Sequence, residues 1–169
     1  MPIGRRSAEI LSEVPRGEER RRKKLVPVGP RILLVEDDAE MRRMLALLLR
    51  RDGYGVTEVA DGDEALEWLG TGILDGEPTR IPALIVSDVR LPSVSGLDIL
   101  SGARLWPRRI PVILITGFGD EDLHEQARAL GAVCVLDKPF PISALRSAVR
   151  FALRAPDDPG PWGRDGHVV

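Results

Sequence analysis

Cysteine, histidine, aromatic rings and long apolar runs are all scarce in this chain of 169 residues. The single cysteine, Cys134, excludes an internal disulfide, fits a reducing compartment and reads as a small core residue rather than a reactive thiol. His124 has no second histidine or cysteine near it to complete a metal site, so it reads as a surface residue. Trp68 and Trp106 stand apart in sequence, read as packing or partly exposed residues, and do not make a base-stacking platform. A formal net charge of −2 argues against a dedicated nucleic-acid binder. No apolar run approaches the length of a membrane span, and the amino terminus lacks the apolar segment of a signal peptide. The expectation is a cytoplasmic protein.

What charge there is lies unevenly. Residues 1–30 hold eight Lys/Arg against four Asp/Glu, residues 31–154 fifteen against nineteen, and residues 155–169 one against three. The first segment carries Arg20-Arg21-Arg22-Lys23-Lys24 and four prolines, and has little to bury. The last is rich in proline, glycine and aspartate, with no apolar stripe. The expected organisation is therefore a basic, disordered arm over 1–29, one folded domain over 30–154 and a disordered tail over 155–169. A solvated arm is the simplest reading of the basic cluster.

Inside the central segment the pattern is regular. Ile32 to Val35 is a short apolar run without helical period, as expected of a buried strand, and Glu36-Asp37-Asp38 follows at once. Met41, Met44, Leu45, Leu48 and Leu49 then recur at helical spacing, with Asp38 placed to cap that helix and Gly53 and Gly55 to close it. Strand candidates recur at Val56–Val59, Leu84–Ser87, Pro111–Ile115 and Val133–Leu136. Helical stripes lie between and after them: Ala65, Leu66 and Leu69; Leu97, Leu100 and Ala103; Asp120 to Leu130; and Leu145, Val149 and Leu153 behind Pro141. Gly70 to Pro82, with three glycines and two prolines, reads as a long surface loop. Five strand–helix units in strict alternation imply an α/β fold, a parallel sheet covered on both faces.

Polar stations stand at the ends of four strands: Glu36-Asp37 after the first, Asp88 after the third, Thr116 after the fourth and Lys138 after the fifth. Parallel strands bring all of these to one edge of the sheet, the edge where open α/β sheets bind ligands. Any one of them alone is more often a turn residue or a helix cap. Together they place three carboxylates where their repulsion calls for a cation, and oxygen ligands without soft neighbours favour Mg²⁺, with Mn²⁺ second. One lysine and one hydroxyl beside them suit an incoming phosphoryl group.

These residues carry a resemblance. Leu34-Val35-Glu36-Asp37-Asp38, Ser87 to Pro92 with Ser95-Gly96-Leu97, Ile115-Thr116-Gly117 and Lys138-Pro139-Phe140 occur in the order and at the spacing of the receiver domain of two-component response regulators. The resemblance covers residues 31–154. It implies a flavodoxin-like (βα)5 fold with strand order 2-1-3-4-5, the order for which a chemotaxis receiver is a standard example. It also implies that Asp88 accepts a phosphoryl group from the phosphohistidine of a histidine kinase or phosphotransfer protein. By the same resemblance Asp37 is a direct metal ligand, Glu36 acts partly through a metal-bound water, and the Arg90 backbone carbonyl supplies a further ligand. Lys138 pairs with Asp88, Thr116 bonds the phosphoryl group, and the Lys138–Pro139 peptide is cis. The protein would be a switch rather than an enzyme acting on a separate substrate, monomeric or dimerising on phosphorylation.

The sequence departs from the family at one place. The position three before Lys138, aromatic in many relatives and coupled there to the threonine, is Val135. The alternative route for a signal is the loop Gly117-Phe118-Gly119 and the face formed by the fourth helix, last strand and last helix. Arg90 and Phe118 fall where relatives tune the lifetime of the aspartyl phosphate. The arginines of the first helix are candidates to meet a kinase. With no output domain in view, the expected protein is a stand-alone receiver acting on a downstream protein, with no nucleic-acid or membrane role for the folded part. The alternatives are a pseudo-receiver scaffold working without phosphorylation, the receiver portion of a larger regulator, and a flavodoxin-like cofactor binder. The last would need a phosphate-cradling loop where Glu36-Asp37-Asp38 instead presents acids.

Overall fold

An apolar run of four or five residues with no helical period has nowhere to face but a core on both sides. In the computed structural model, which describes residues 29–74, 81–106 and 109–154, each such run is a strand. The elements alternate as β1 (Arg31–Val35), α1 (Ala39–Arg51), β2 (Gly55–Val59), α2 (Gly62–Leu74), β3 (Leu84–Asp88), α3 (Gly96–Ala103), β4 (Val112–Thr116), α4 (Glu121–Ala129), β5 (Cys134–Asp137) and α5 (Ile142–Ala152). All pairings are parallel and the sheet order is β2-β1-β3-β4-β5, so the flavodoxin-like fold and its strand order are as the sequence and the resemblance imply. The expected arm over 1–29 lies outside the described residues but for Gly29, and the expected tail over 155–169 lies outside them entirely.

The pleat sorts the core into two layers. On β1, Ile32 and Leu34 face α1 and α5, where they meet Leu45, Leu49, Leu145 and Val149. Leu33 and Val35 face the other side, with Ala65, Leu69, Ile99, Leu100 and Ala127 of α2, α3 and α4. The central strands β3 and β4 are buried along their whole length, and this is why their sequences are apolar but for Ser87 and Asp88 at the end of β3 and Thr116 at the end of β4.

Several boundaries differ from expectation. The helix α2 runs on to Leu74, five residues into the stretch read as loop; Gly70 and Gly72 weaken a helix without ending it. At the end of α1, Asp52 is the cap and Gly53 takes the left-handed conformation (φ 94°), while Gly55 opens β2. Pro141 caps α5 instead of sitting in its first turn. β4 ends on Thr116 and β5 on Asp137, one residue later than the apolar pattern suggested, because the ladder continues past the last apolar side chain.

Candidate functional site

The parallel register delivers the polar residues to one edge. Val35 pairs with Ser87, Asp88 with Ile115, and Thr116 with Asp137, so the residues that leave β1, β3, β4 and β5 do so side by side. Backbone bonds pin them there: Glu36 N–H donates to the Val59 carbonyl (3.3 Å), Val89 N–H to Ile115 (2.8 Å) and Lys138 N–H to Thr116 (2.7 Å). Asp38 caps α1 by accepting from the Met41 N–H at 2.8 Å, as the sequence predicts, which starts the helix two residues after the acid pair.

Asp88 is buried, at 5% exposure, and Glu36 is buried at 1%. Lys138 reaches both: its ammonium donates to Asp88 Oδ2 at 2.5 Å and to Glu36 Oε2 at 3.0 Å. One carboxylate oxygen from each of Glu36, Asp37 and Asp88 lies within 4.8 Å of the others, a set of hard oxygen donors close enough to share one divalent ion. These residues fit Mg²⁺ or Mn²⁺ in donor chemistry and spacing. Burial holds the Glu36 carboxyl above the ordinary glutamate value; the Lys138 hydrogen bond opposes this and the Asp88 charge adds to it. Burial alone would weaken the Lys138 ammonium, but its hydrogen bonds and charge pairing with Asp88 and Glu36 together prevail and hold its pKa above the usual lysine range.

Thr116 is fully buried, and its hydroxyl accepts from the Phe118 N–H at 3.2 Å. Arg90 meets the acid through its backbone N–H, which donates to Asp88 Oδ1 at 2.6 Å. Its guanidinium lies over the Phe118 ring, 4.7 Å from the centroid, so the loops after β3 and β4 touch across the mouth of the site. The Lys138–Pro139 peptide is cis, as the resemblance implies.

Glycine 96 explains part of the Ser95-Gly96 motif. A β-carbon there would lie 2.3 Å from the Asp88 carbonyl oxygen, so only glycine lets α3 begin against the end of β3. Ser95 caps that helix in a reciprocal capping box with Asp98.

Two arrangements escaped the sequence reading. Arg42, one of the arginines of α1, reaches back and donates to the carbonyl oxygens of Glu36 (2.6 Å) and Asp37 (3.2 Å). His124, expected at the surface, is half-buried and bonds Asp137 Oδ1 at 3.0 Å. A β-carbon on Gly119 would press on this pair, at 2.1 Å from Asp137 Oδ1 and 2.6 Å from His124 Nε2. The position of Arg42 one turn after the acid pair was a usable signal. Nothing in the chain's local pattern links His124 to Asp137; only the packing of α4 beside β5 does. Cys134 is buried, and burial pushes its thiol up to about 12, in keeping with an inert core residue.

The family model described as "Response regulator receiver domain" matches residues 32–150. Transcriptional regulatory protein PdtaR of Mycobacterium tuberculosis is 38% identical over 128 residues, which are 75% of this chain and 58% of that protein. Sporulation initiation phosphotransferase F of Bacillus subtilis is 31% identical over 123 residues, 73% of this chain and 93% of that protein. The crystal structure of a putative response regulator from Chloroflexus aurantiacus superposes with a TM-score of 0.64 at 30% identity, covering 73% of this chain and 97% of that one. The chain thus spans about 58% of the length of the PdtaR relative. The chain belongs to the response regulator receiver domain family of two-component systems.

Proposed function

We propose that this protein is a phosphorylation-activated switch in which Asp88 accepts a phosphoryl group from the phosphohistidine of a histidine kinase or phosphotransfer protein. The observation that carries the reading is the buried Asp88 carboxylate, tied to Lys138 and within sharing distance of Glu36 and Asp37. An Asp88 carboxylate oxygen attacks phosphorus in line, the bond from phosphorus to the imidazole nitrogen breaks, and the imidazole leaves with its electron pair. Hydrolysis reverses the outcome: water attacks the same phosphorus, regenerating the carboxylate and releasing inorganic phosphate. When bound, Mg²⁺ (or Mn²⁺) supplies neutralising charge for the phosphoryl oxygens; Asp37, Asp88, Glu36 partly through water, and the Arg90 carbonyl would hold it.

The chain's own residues do the remainder. The Arg90 N–H on Oδ1 fixes the rotamer of Asp88, leaving Oδ2 on the Lys138 side. Lys138 holds Asp88 before transfer and a phosphoryl oxygen afterwards. The Thr116 hydroxyl, which accepts from the Phe118 N–H, turns its own O–H to donate to the phosphoryl group, and the loop Gly117-Phe118-Gly119 carries that movement outward in place of a ring at Val135. The protein is its own substrate and not an enzyme acting on another molecule. Met44 of α1, 48% exposed and lining one hollow with Asp38 and Lys138, offers the donor protein an apolar landing beside the site.

Phosphotransferase F of Bacillus subtilis, matched over 93% of its length, supports an output made of protein contacts. The coverage of PdtaR supports a second reading, in which the same domain is the receiver portion of a larger regulator. To test acceptance itself, the protein is incubated with acetyl phosphate, with and without Mg²⁺, and weighed intact. A phosphoryl adduct that needs Mg²⁺ and is missing in Asp88→Asn is the expected result. A folded protein that gains no adduct contradicts the proposal.

A further inference from the structure

We infer that Arg42 is a positioning residue for the acid pair, a staple from α1 onto the main chain of Glu36 and Asp37 that sets how tightly the site holds a divalent cation. The inference rests on the proposed phosphoacceptor reading. Asp38 caps α1, the Arg42 N–H continues the helix by donating to the Asp38 carbonyl (2.8 Å), and the Arg42 guanidinium then returns to the two residues just before the cap. The three residues between strand and helix are thereby closed into a short circuit. Beyond it, the loop holds on through the 3.3 Å bond from Glu36 N–H, a long 3.4 Å contact from Asp38 N–H to Glu36 Oε1 and the Lys138 ammonium on Glu36 Oε2 at 3.0 Å; of these the main chain of Asp37 receives none.

The staple also decides which oxygens this loop offers. With the carbonyls of Glu36 and Asp37 turned onto Arg42, their carboxylates are what these two residues would offer a cation. Ligands held in place before binding lose less freedom when the ion arrives, and outer contacts of this kind set affinity without touching the metal. Both bonds leave one guanidinium nitrogen, Nη1, which stands one bond farther from the main chain than a lysine ammonium and holds its two N–H groups fixed in the guanidinium plane.

Charge and geometry pull in opposite directions here, and this makes the inference testable. By Coulomb's law alone a cationic side chain near the site repels a second cation, so neutralising it would tighten Mg²⁺ binding. Acting as a staple, it does the reverse. The dissociation constant for Mg²⁺ is measured from amide NMR shifts during MgCl2 titration of wild type, Arg42→Ala and Arg42→Lys. Metal-free thermal unfolding is followed in parallel.

The expected result is Mg²⁺ binding about tenfold weaker in Arg42→Ala, the effect of one or two lost charge-assisted hydrogen bonds. Arg42→Lys, with charge kept but the reach shortened and the fixed N–H pair of Nη1 lost, is expected about threefold weaker by the same reasoning. Arg42→Lys carries the test if Arg42→Ala does not fold. Unchanged affinity in the lysine variant, or tighter binding in the alanine variant, overturns the staple. So does a lower metal-free melting temperature with an unchanged dissociation constant, the mark of a merely structural role. If wild type itself binds no Mg²⁺, the phosphoacceptor reading falls and the staple with it; wild-type binding with indifferent variants removes the staple alone.

Discussion

A carboxylate that is 1% exposed has given up nearly all its hydration, and the Lys138 ammonium replaces only part of it for Glu36. Because its folded pKa stands above the ordinary 4.5, the folded protein holds the Glu36 proton more tightly than the unfolded chain does. The stability this gives is complete below pH 4.5 and is lost as pH rises through the folded value. In urea unfolding of the metal-free protein at stepped pH, wild type should lose stability relative to Glu36→Gln across that window; parallel curves contradict it. Lys138 has the larger structural task, because without it two buried acids confront each other. Lys138→Met should destabilise the metal-free protein by about 2–3 kcal/mol at neutral pH, with MgCl2 restoring part of the loss. An unfolding midpoint equal to wild type without metal would contradict the pairing.

Among the elements, α3 and α2 show what a glycine is for. Gly96→Ala drives a β-carbon into the Asp88 carbonyl, main chain against main chain, and should cost about 2 kcal/mol or more while displacing the end of β3. Gly70, inside α2, has open space beside it, so Gly70→Ala should stabilise by about 0.5–1 kcal/mol. Chemical denaturation of the two variants checks both signs at once.

The same two glycines show what the sequence can and cannot say. Strand–helix alternation, the two-sided burial of β3 and β4 and the acids at strand ends were legible because each is local pattern plus one topological rule. The motif Ser95-Gly96 was visible, but its reason, the approach of α3 to Asp88, is a contact between separate elements. Gly70 misled because a glycine lowers helix propensity by an amount that packing of Ala65 and Leu69 exceeds. Arg42 stood one turn after the acid pair, but its partners are carbonyl groups, which every residue carries and no residue type marks.

At the scale of the molecule, residues 31–154 hold nineteen acids against fifteen Lys/Arg, and three of the acids meet at one edge of the sheet. Among the described residues no helix is long and apolar enough to cross a membrane. The fold gathers charge where the strands end and surrounds it with apolar layers on both faces, so a bound cation should stabilise the whole domain. At tenfold its dissociation constant Mg²⁺ should add about 1.4 kcal/mol to unfolding stability. Asp88→Asn, which removes one acid from the cluster, should show a smaller gain, and an equal gain in both proteins would place the ion elsewhere.

The central claim is that a phosphoryl group resides on Asp88, and trapping the acyl phosphate tests it most directly. After exposure to acetyl phosphate and Mg²⁺, borohydride reduces an aspartyl phosphate to homoserine, which peptide mass spectrometry locates to a single residue. Mg²⁺-dependent homoserine is expected at position 88 and at no other acid. Homoserine at position 37, or an unreduced position 88 in protein that carries the adduct, would contradict it.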